Sequence, residues 1–261
     1  NGYDHHLWDD LMHPPRFVQG FLKHDELELM IQRRTSRQQL NADDANKLIA
    51  GRPYQIRAIQ RMCESIQDEN RRKGLLVMAT GSGKTRTVIA LADLLMEMNW
   101  AKRILFLADR VALVNQTVNA FKSHLPSASI VNLIKDKNDE GRIYVSTYPT
   151  MMGLIDGKTA GSRKFGVGHF DLIIIDECHR GSAKEDSKWR EVLDYFSSAT
   201  HIGLTATPKE TLQTSNADNR RLRPRGMVQA SSKQRLNSPT QTTTNSKQTE
   251  RLSKRPDLRR A

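Results

Sequence analysis

The sequence predicts an α/β fold with a mostly parallel sheet covered by helices on both faces. Short, continuous apolar runs recur at 75–78, 104–107, 143–145, 172–175 and 202–204. Segments with apolar residues at helical spacing separate them. The runs do not alternate apolar with polar residues as a sheet with one wet face would, so both faces must be covered.

The elements follow in chain order. Residues 1–50 are expected to form a helical lead-in. Leu27, Met30 and Ile31 mark a helix over 25–40; Ala45, Leu48 and Ile49 mark another over 41–50. Gly51 and Pro53 break the run. Ile56, Ile59, Cys63 and Ile66 share one face of a helix over 54–69. A strand at 75–78 leads to a helix over 84–98 with Val88, Leu91 and Leu95 inward. A strand at 104–107 leads to a helix over 110–124 with Val111, Val114, Val118 and Phe121 inward. Strands at 130–134, 143–145 and 172–175 come next. A helix bearing Trp189, Val192, Leu193 and Phe196 precedes the last strand, at 202–204. Residues 153–168, rich in glycine, read as a flexible surface loop.

Residues 211–261 differ in character. They contain no Phe, Tyr or Trp and no periodic apolar face. Such a segment cannot bury enough apolar surface to offset chain entropy and is expected to be disordered. The chain thus divides into a lead-in (1–50), an α/β domain (51–210) and a basic tail (211–261). The net charge is +12, but the tail alone carries 12 Lys+Arg against 3 Asp+Glu. The charge therefore says little about what the folded part binds. Two distant cysteines, Cys63 and Cys178, make no disulfide framework and suit a reducing cytosol. No apolar run approaches the length of a membrane span. The first residue is Asn1, which suggests a fragment.

Three motifs carry chemistry, each at the carboxyl end of a strand, where α/β sheets bind ligands. Thr80-Gly81-Ser82-Gly83-Lys84-Thr85 sits between a strand and a helix. Its glycines let successive N–H groups point at phosphate oxygens at a helix N-terminus. Lys84 offers charge to the β/γ phosphates and Thr85 a hydroxyl ligand for Mg²⁺. The stricter G-x-x-x-x-G-K-[ST] string is not met, because Met78 occupies its first position. Asp176 and Glu177 follow the strand at 172–175. Asp176 suits Mg²⁺; Glu177 is placed to orient and deprotonate an attacking water. His179 is a candidate polar link to the third element, Thr205-Ala206-Thr207.

LLVMATGSGKT, ILFLADRVALVNQ, IDECHRGSAKEDSKWREVLDYFSSAT and IGLTATPKE resemble the first RecA-like P-loop domain of superfamily 2 helicase-type ATPases. More narrowly, they resemble the restriction (R) subunit of Type I restriction–modification enzymes. The resemblance covers residues 16–210 and is strongest from 52 on. It implies ATP and Mg²⁺ as cofactors, double-stranded DNA as the track, and modification and specificity subunits as partners. It implies that Gln55 reads adenine, that Arg110, Ser146 and Thr147 contact a nucleic-acid backbone, and that Thr205, Ala206 and Thr207 couple hydrolysis to strand movement. Lys84, Asp176, Glu177 and His179 would be catalytic.

The family's nuclease domain and second RecA-like domain have no counterpart in these residues, so the chain alone is expected to hydrolyse ATP slowly at best. Other readings are a different superfamily 2 ATPase acting on DNA or RNA, or a non-catalytic gene remnant that binds nucleic acid through its tail. The tail itself reads either as a native basic extension or as a frameshifted end.

Overall fold

The computed structural model describes residues 3–10, 13–136, 140–156, 163–178, 185–207 and 227–230, with side chains of 185–189 and 227–230 left out. Its elements in chain order are β1 (His5–Asp9), β2 (His13–Val18), α1 (His24–Ser36), α2 (Pro53–Gln67), β3 (Lys73–Met78) and α3 (Lys84–Glu97). There follow β4 (Ile104–Ala108), α4 (Val111–His124), β5 (Ile130–Asn132), β6 (Ile143–Thr147) and α5 (Tyr148–Ile155). The last are β7 (Leu172–Ile175), α6 (Glu185–Tyr195), β8 (Thr200–Thr205) and β9 (Met227–Ala230).

The main sheet has seven strands in the order β5-β6-β4-β7-β8-β3-β9, and every pairing is parallel. Strand alternation splits its side chains between two cores. Ile104, Phe106, Ile143, Val145, Leu172 and Ile174 pack with buried residues of α2, α3 and α4. Leu105, Leu107, Tyr144, Ile173 and Ile175 pack on the other face with α5, α6 and the segment from Phe165 to Phe170. The predicted parallel α/β sheet, covered on both faces, is the observed architecture.

Three local expectations are corrected. The lead-in begins with an antiparallel β1–β2 hairpin, not a helix. Residues 41–50 form only a 3-10 turn at Ala42–Asp44 and further turns. The cause is local: Asn41 Oδ1 accepts from Asp43 N at 3.0 Å and Asn46 Oδ1 from Leu48 N at 3.1 Å. Such side-chain turns compete with helical hydrogen bonds. The glycine-rich stretch is partly core, since Phe165 and Val167 are buried and Tyr195 donates its hydroxyl to the Phe165 carbonyl at 2.7 Å. Its residues 157–162 lie outside the described residues. In the tail, β9 extends the sheet edge beside β3; the rest of that segment lies outside the described residues. Among the described residues no helix is long and apolar enough to cross a membrane.

The lead-in is tied to the amino end of the sheet by a buried ion pair. Arg33 on α1 meets Asp171, just before β7, at 2.7 Å. The other Asp171 oxygen accepts from the backbone N–H groups of Lys102 and Arg103 at 2.8 and 2.9 Å.

One buried group makes stability depend on pH. His201 on β8 donates from Nε2 to the Phe196 carbonyl at 3.1 Å. Burial, aided by the charges of Arg72 and Lys73, lowers its pKa to about 4. Between that value and the ordinary one of about 6.5 the unfolded chain binds a proton that the folded chain refuses. This contribution is complete above the unfolded value and is lost as pH falls toward the folded one, amounting to about 3 kcal/mol in full. Urea denaturation at pH 7 and pH 4.5 is expected to show a smaller acid loss for His201→Asn than for the parent chain. An equal loss would exclude this histidine as the source.

Candidate nucleotide site

The site is assembled at the carboxyl edge of β3, β8 and β7, adjacent strands in the sheet. β3 runs into the turn 79–83, which reverses through left-handed glycines, Gly81 at φ 76° and Gly83 at φ 86°. Ser82 N–H and Oγ both donate to the Ala79 carbonyl, at 3.2 and 2.6 Å. Gly83 caps α3, so Lys84 and Thr85 open that helix. Free N–H groups at such a start, together with the helix dipole, can hold an anion.

The Gln55 amide, almost fully buried, clamps this turn from α2. Its Nε2 donates to the Ser82 carbonyl at 3.2 Å, and its Oε1 accepts from Arg52 N at 3.2 Å. Tyr54 donates its hydroxyl to the same Ser82 carbonyl at 2.9 Å, and Arg52 donates to that hydroxyl at 2.9 Å. In this arrangement Gln55 shapes the turn through both ends of its amide. A Cβ at Gly83 would stand 2.6 Å from Gln55 Nε2, on a backbone that L side chains rarely adopt. Gly83→Ala is therefore expected to destabilise the fold by about 1–3 kcal/mol and to weaken nucleotide binding at least tenfold. Thermal unfolding and nucleotide titration check this; an unchanged affinity would mean that the turn tolerates rearrangement.

The acidic tip comes from β7. Glu177 has φ 48°, a left-handed conformation unusual for a side-chain-bearing residue and one that concentrates at functional positions. Its N–H donates to Asp176 Oδ1 at 3.1 Å, while Cys178 N donates to the Leu204 carbonyl of β8 at 3.0 Å. The reversal brings Glu177 Oε1 to 3.0 Å from Lys84 Nζ, with both side chains largely buried. Residues 93 positions apart in sequence thus meet across the edge of β8. Thr205 is buried at the end of β8 between them, and its Oγ1 accepts from Thr207 N at 3.1 Å, fixing the turn through Ala206.

The remaining predicted residues are distributed as follows. Arg110, just after β4, is well exposed, and its Nε lies 3.4 Å from Asp109 Oδ2. Ser146 and Thr147 end β6 but are buried. The Ser146 hydroxyl donates to the Thr147 carbonyl at 3.2 Å, and Thr147 Oγ1 lies 3.0 Å from Thr150 Oγ1 at the start of α5. Neither presents its hydroxyl to solvent in this conformation. His179 lies outside the described residues.

Tyr148 follows Ser146 and Thr147 at the end of β6, in the same strand-end element read from the sequence; Cys178 was given no site role by sequence reasoning. Burial raises the Tyr148 phenol pKa, reinforced by Cys178, Asp176 and Asp109. Burial also raises the Cys178 thiol to about 11. Both therefore stay neutral beside the carboxylates.

The donor set suits Mg²⁺. Asp176 and Thr85 are hard oxygen ligands of the kind that cation takes together with phosphate oxygens. The Lys84–Glu177 contact brings the turn before α3 and the tip of β7 together.

Comparison with known proteins bears on this geometry. The family model described as "Type III restriction enzyme, res subunit" matches residues 48–210, which spans every motif above. The endonuclease subunit of the Type I restriction enzyme EcoAI from Escherichia coli is 46% identical over 169 residues, 64% of this chain and 20% of that protein. The corresponding subunit of EcoKI from Escherichia coli K12 is 34% identical over 177 residues, 59% of this chain and 14% of that protein. The chain thus spans a fifth or less of these relatives. A solved fragment assigned as an HsdR subunit of a type I restriction enzyme from Vibrio vulnificus YJ016 is 28% identical with a TM-score of 0.46, covering 85% of this chain and 38% of that one. On the family match and these relatives, the chain belongs to the restriction-enzyme res-subunit family, as a helicase-like domain of the Type I R-subunit kind.

Proposed function

We propose that this domain binds ATP with Mg²⁺ and hydrolyses it as part of a motor that moves double-stranded DNA within a Type I restriction complex. The observation that supports the reading is the Lys84–Glu177 contact at 3.0 Å, which joins the turn before α3 to the acidic tip of β7. In this reading the turn 79–83 takes the β-phosphate through its N–H groups, and Lys84 reaches the β/γ oxygens. Asp176 and Thr85 would hold Mg²⁺, which neutralises phosphoryl charge.

Nucleotide entry draws the Lys84 ammonium from Glu177 to the phosphates. The Glu177 carboxylate, freed, accepts a proton from a water lined up on the γ-phosphorus. The bond from water oxygen to phosphorus forms as the bond to the bridging oxygen breaks, leaving ADP and phosphate. Thr205 and Thr207, at the end of the strand between the two halves, would pass the change onward. Arg110 would contact a DNA phosphate. Ser146 and Thr147 would do so only after the start of α5 moves. Gln55 would present its second amide hydrogen to adenine. Modification and specificity subunits are the proposed partners, in the cytosol.

Saturable binding of ATP·Mg²⁺ to the full chain, with hydrolysis stimulated by duplex DNA and not by RNA, tests the proposal. Absence of nucleotide binding would overturn it. Equal stimulation by RNA would overturn the DNA assignment.

A further inference from the structure

The amino edge of the sheet, opposite the nucleotide site, holds a second concentration of chemistry. A cavity of about 60 Å³ lies among the β1–β2 hairpin, α1 and the starts of β3, β7 and β8. Its lining includes five arginines, Arg16, Arg33, Arg37, Arg71 and Arg72, against two aspartates, Asp9 and Asp171.

The acids do not balance the bases. Asp171 is already committed to Arg33 and to two backbone N–H groups. Asp9 lies 3.9 Å from Arg34, outside the lining, and its charge also attracts Arg16 and Arg37, so it is shared among three arginines. Arg71 is paired with Glu69. Arg72 spends one nitrogen on the carbonyls of Ser197 and Ala199, at 2.7 and 2.8 Å. Arg37 lies over the Trp100 ring at 4.6 Å. Nε and Nη1 of Arg16, Nε of Arg33 and Nε of Arg37 are shielded from solvent with no hydrogen-bond partner. The Arg33 side chain is only 8% exposed.

A buried N–H donor without an acceptor is costly, and a buried cation more so. Burial lowers the pKa of Arg16, Arg33, Arg37 and Arg72, with repulsion from a neighbouring arginine contributing for the last three. For Arg72 the value is about 10, still charged at neutral pH. His13 in the same lining is pushed down to about 4, chiefly by burial and then by Arg72 and Arg16, so it adds no positive charge there at neutral pH. Deprotonation cannot relieve the arginines. An anion with several acceptor oxygens can.

We infer that this cavity is a binding site for a single small oxyanion of the phosphate or sulfate class, held by Arg16, Arg33 and Arg37. Guanidinium forks match the oxygens of such an ion, with charge-assisted hydrogen bonds about twice as strong as neutral ones. The volume corresponds to about four waters at roughly 15 Å³ each, enough for one tetrahedral ion and too little for a nucleoside. The ion would pin the hairpin to α1 and to the foot of the sheet, stabilising the lead-in against the motor fold.

The test uses the full chain carrying Lys84→Ala, which weakens anion binding at the turn 79–83. At matched ionic strength, phosphate or sulfate at about tenfold above its Kd is expected to raise Tm by about 3–6 °C over chloride. Adding Arg16→Gln and Arg37→Gln should abolish that rise, each chain being compared with itself in chloride. Equilibrium dialysis with labelled phosphate should find one equivalent on the Lys84→Ala chain that adenosine monophosphate does not displace. No rise over chloride, a rise that survives both glutamines, no bound equivalent, or displacement by the nucleotide would each overturn the site.

Discussion

Glu177→Gln is expected to bind ATP·Mg²⁺ at least as tightly as the parent chain while its turnover falls by about 10²–10⁴-fold. The substitution removes the carboxylate that holds Lys84 at 3.0 Å. It also removes a negative charge from the side of the site that receives the phosphates. Both changes favour binding, and the same change removes the proposed base. Lys84→Ala should act in the opposite sense. It deletes the cation and leaves Glu177 largely buried without that partner, so affinity should fall by about 10²-fold, in keeping with the 2–5 kcal/mol lost when one member of a buried charge pair is truncated. Calorimetric titration and single-turnover hydrolysis separate the two effects. Weaker nucleotide binding by Glu177→Gln would mean that the carboxylate holds the ligand and does not compete for Lys84.

Asp171→Ala is expected to lower stability by about 3–5 kcal/mol, the cost of stranding one partner of a buried ion pair. The loss falls on Arg33, which would keep its hydrogen bond to the Trp100 carbonyl at 3.3 Å, and on the N–H groups of Lys102 and Arg103. For a domain of this size that is a fall in Tm of about 6–20 °C. Combining it with Arg33→Met should recover part of the loss, because the stranded charge goes, but not all, because the two backbone donors stay unpaired. A double variant as unstable as Asp171→Ala alone would place the cost in the backbone contacts and not in the ion pair.

The sheet was legible because its strands are buried on both faces. Leu172 to Ile175 is an unbroken aliphatic run, and its observed bounds are the predicted ones. Val88, Leu91 and Leu95 line the buried face of α3 as their spacing requires. The hairpin was not legible. β1 and β2 read HHLWD and HPPRFV, with two prolines that argue against a strand except at an edge. α5 is eight residues long and contains Gly153, so its capping signal, Thr147 with Pro149 after it, went unread. The site showed the same division. The glycine turn and the acidic tip announce themselves locally. The burial of Ser146 and Thr147, and the engagement of both ends of the Gln55 amide, come from tertiary packing that no local spacing encodes.

The central claim is that the turn before α3 and the tip of β7 serve one bound nucleotide. A double-mutant cycle tests it most directly: calorimetric titration of ATP·Mg²⁺ into the parent chain, Lys84→Ala, Asp176→Ala and the combination. The account predicts coupling of at least about 1.4 kcal/mol, a tenfold departure from additivity. Additive losses, or an Asp176→Ala chain that binds ATP·Mg²⁺ like the parent, would contradict it.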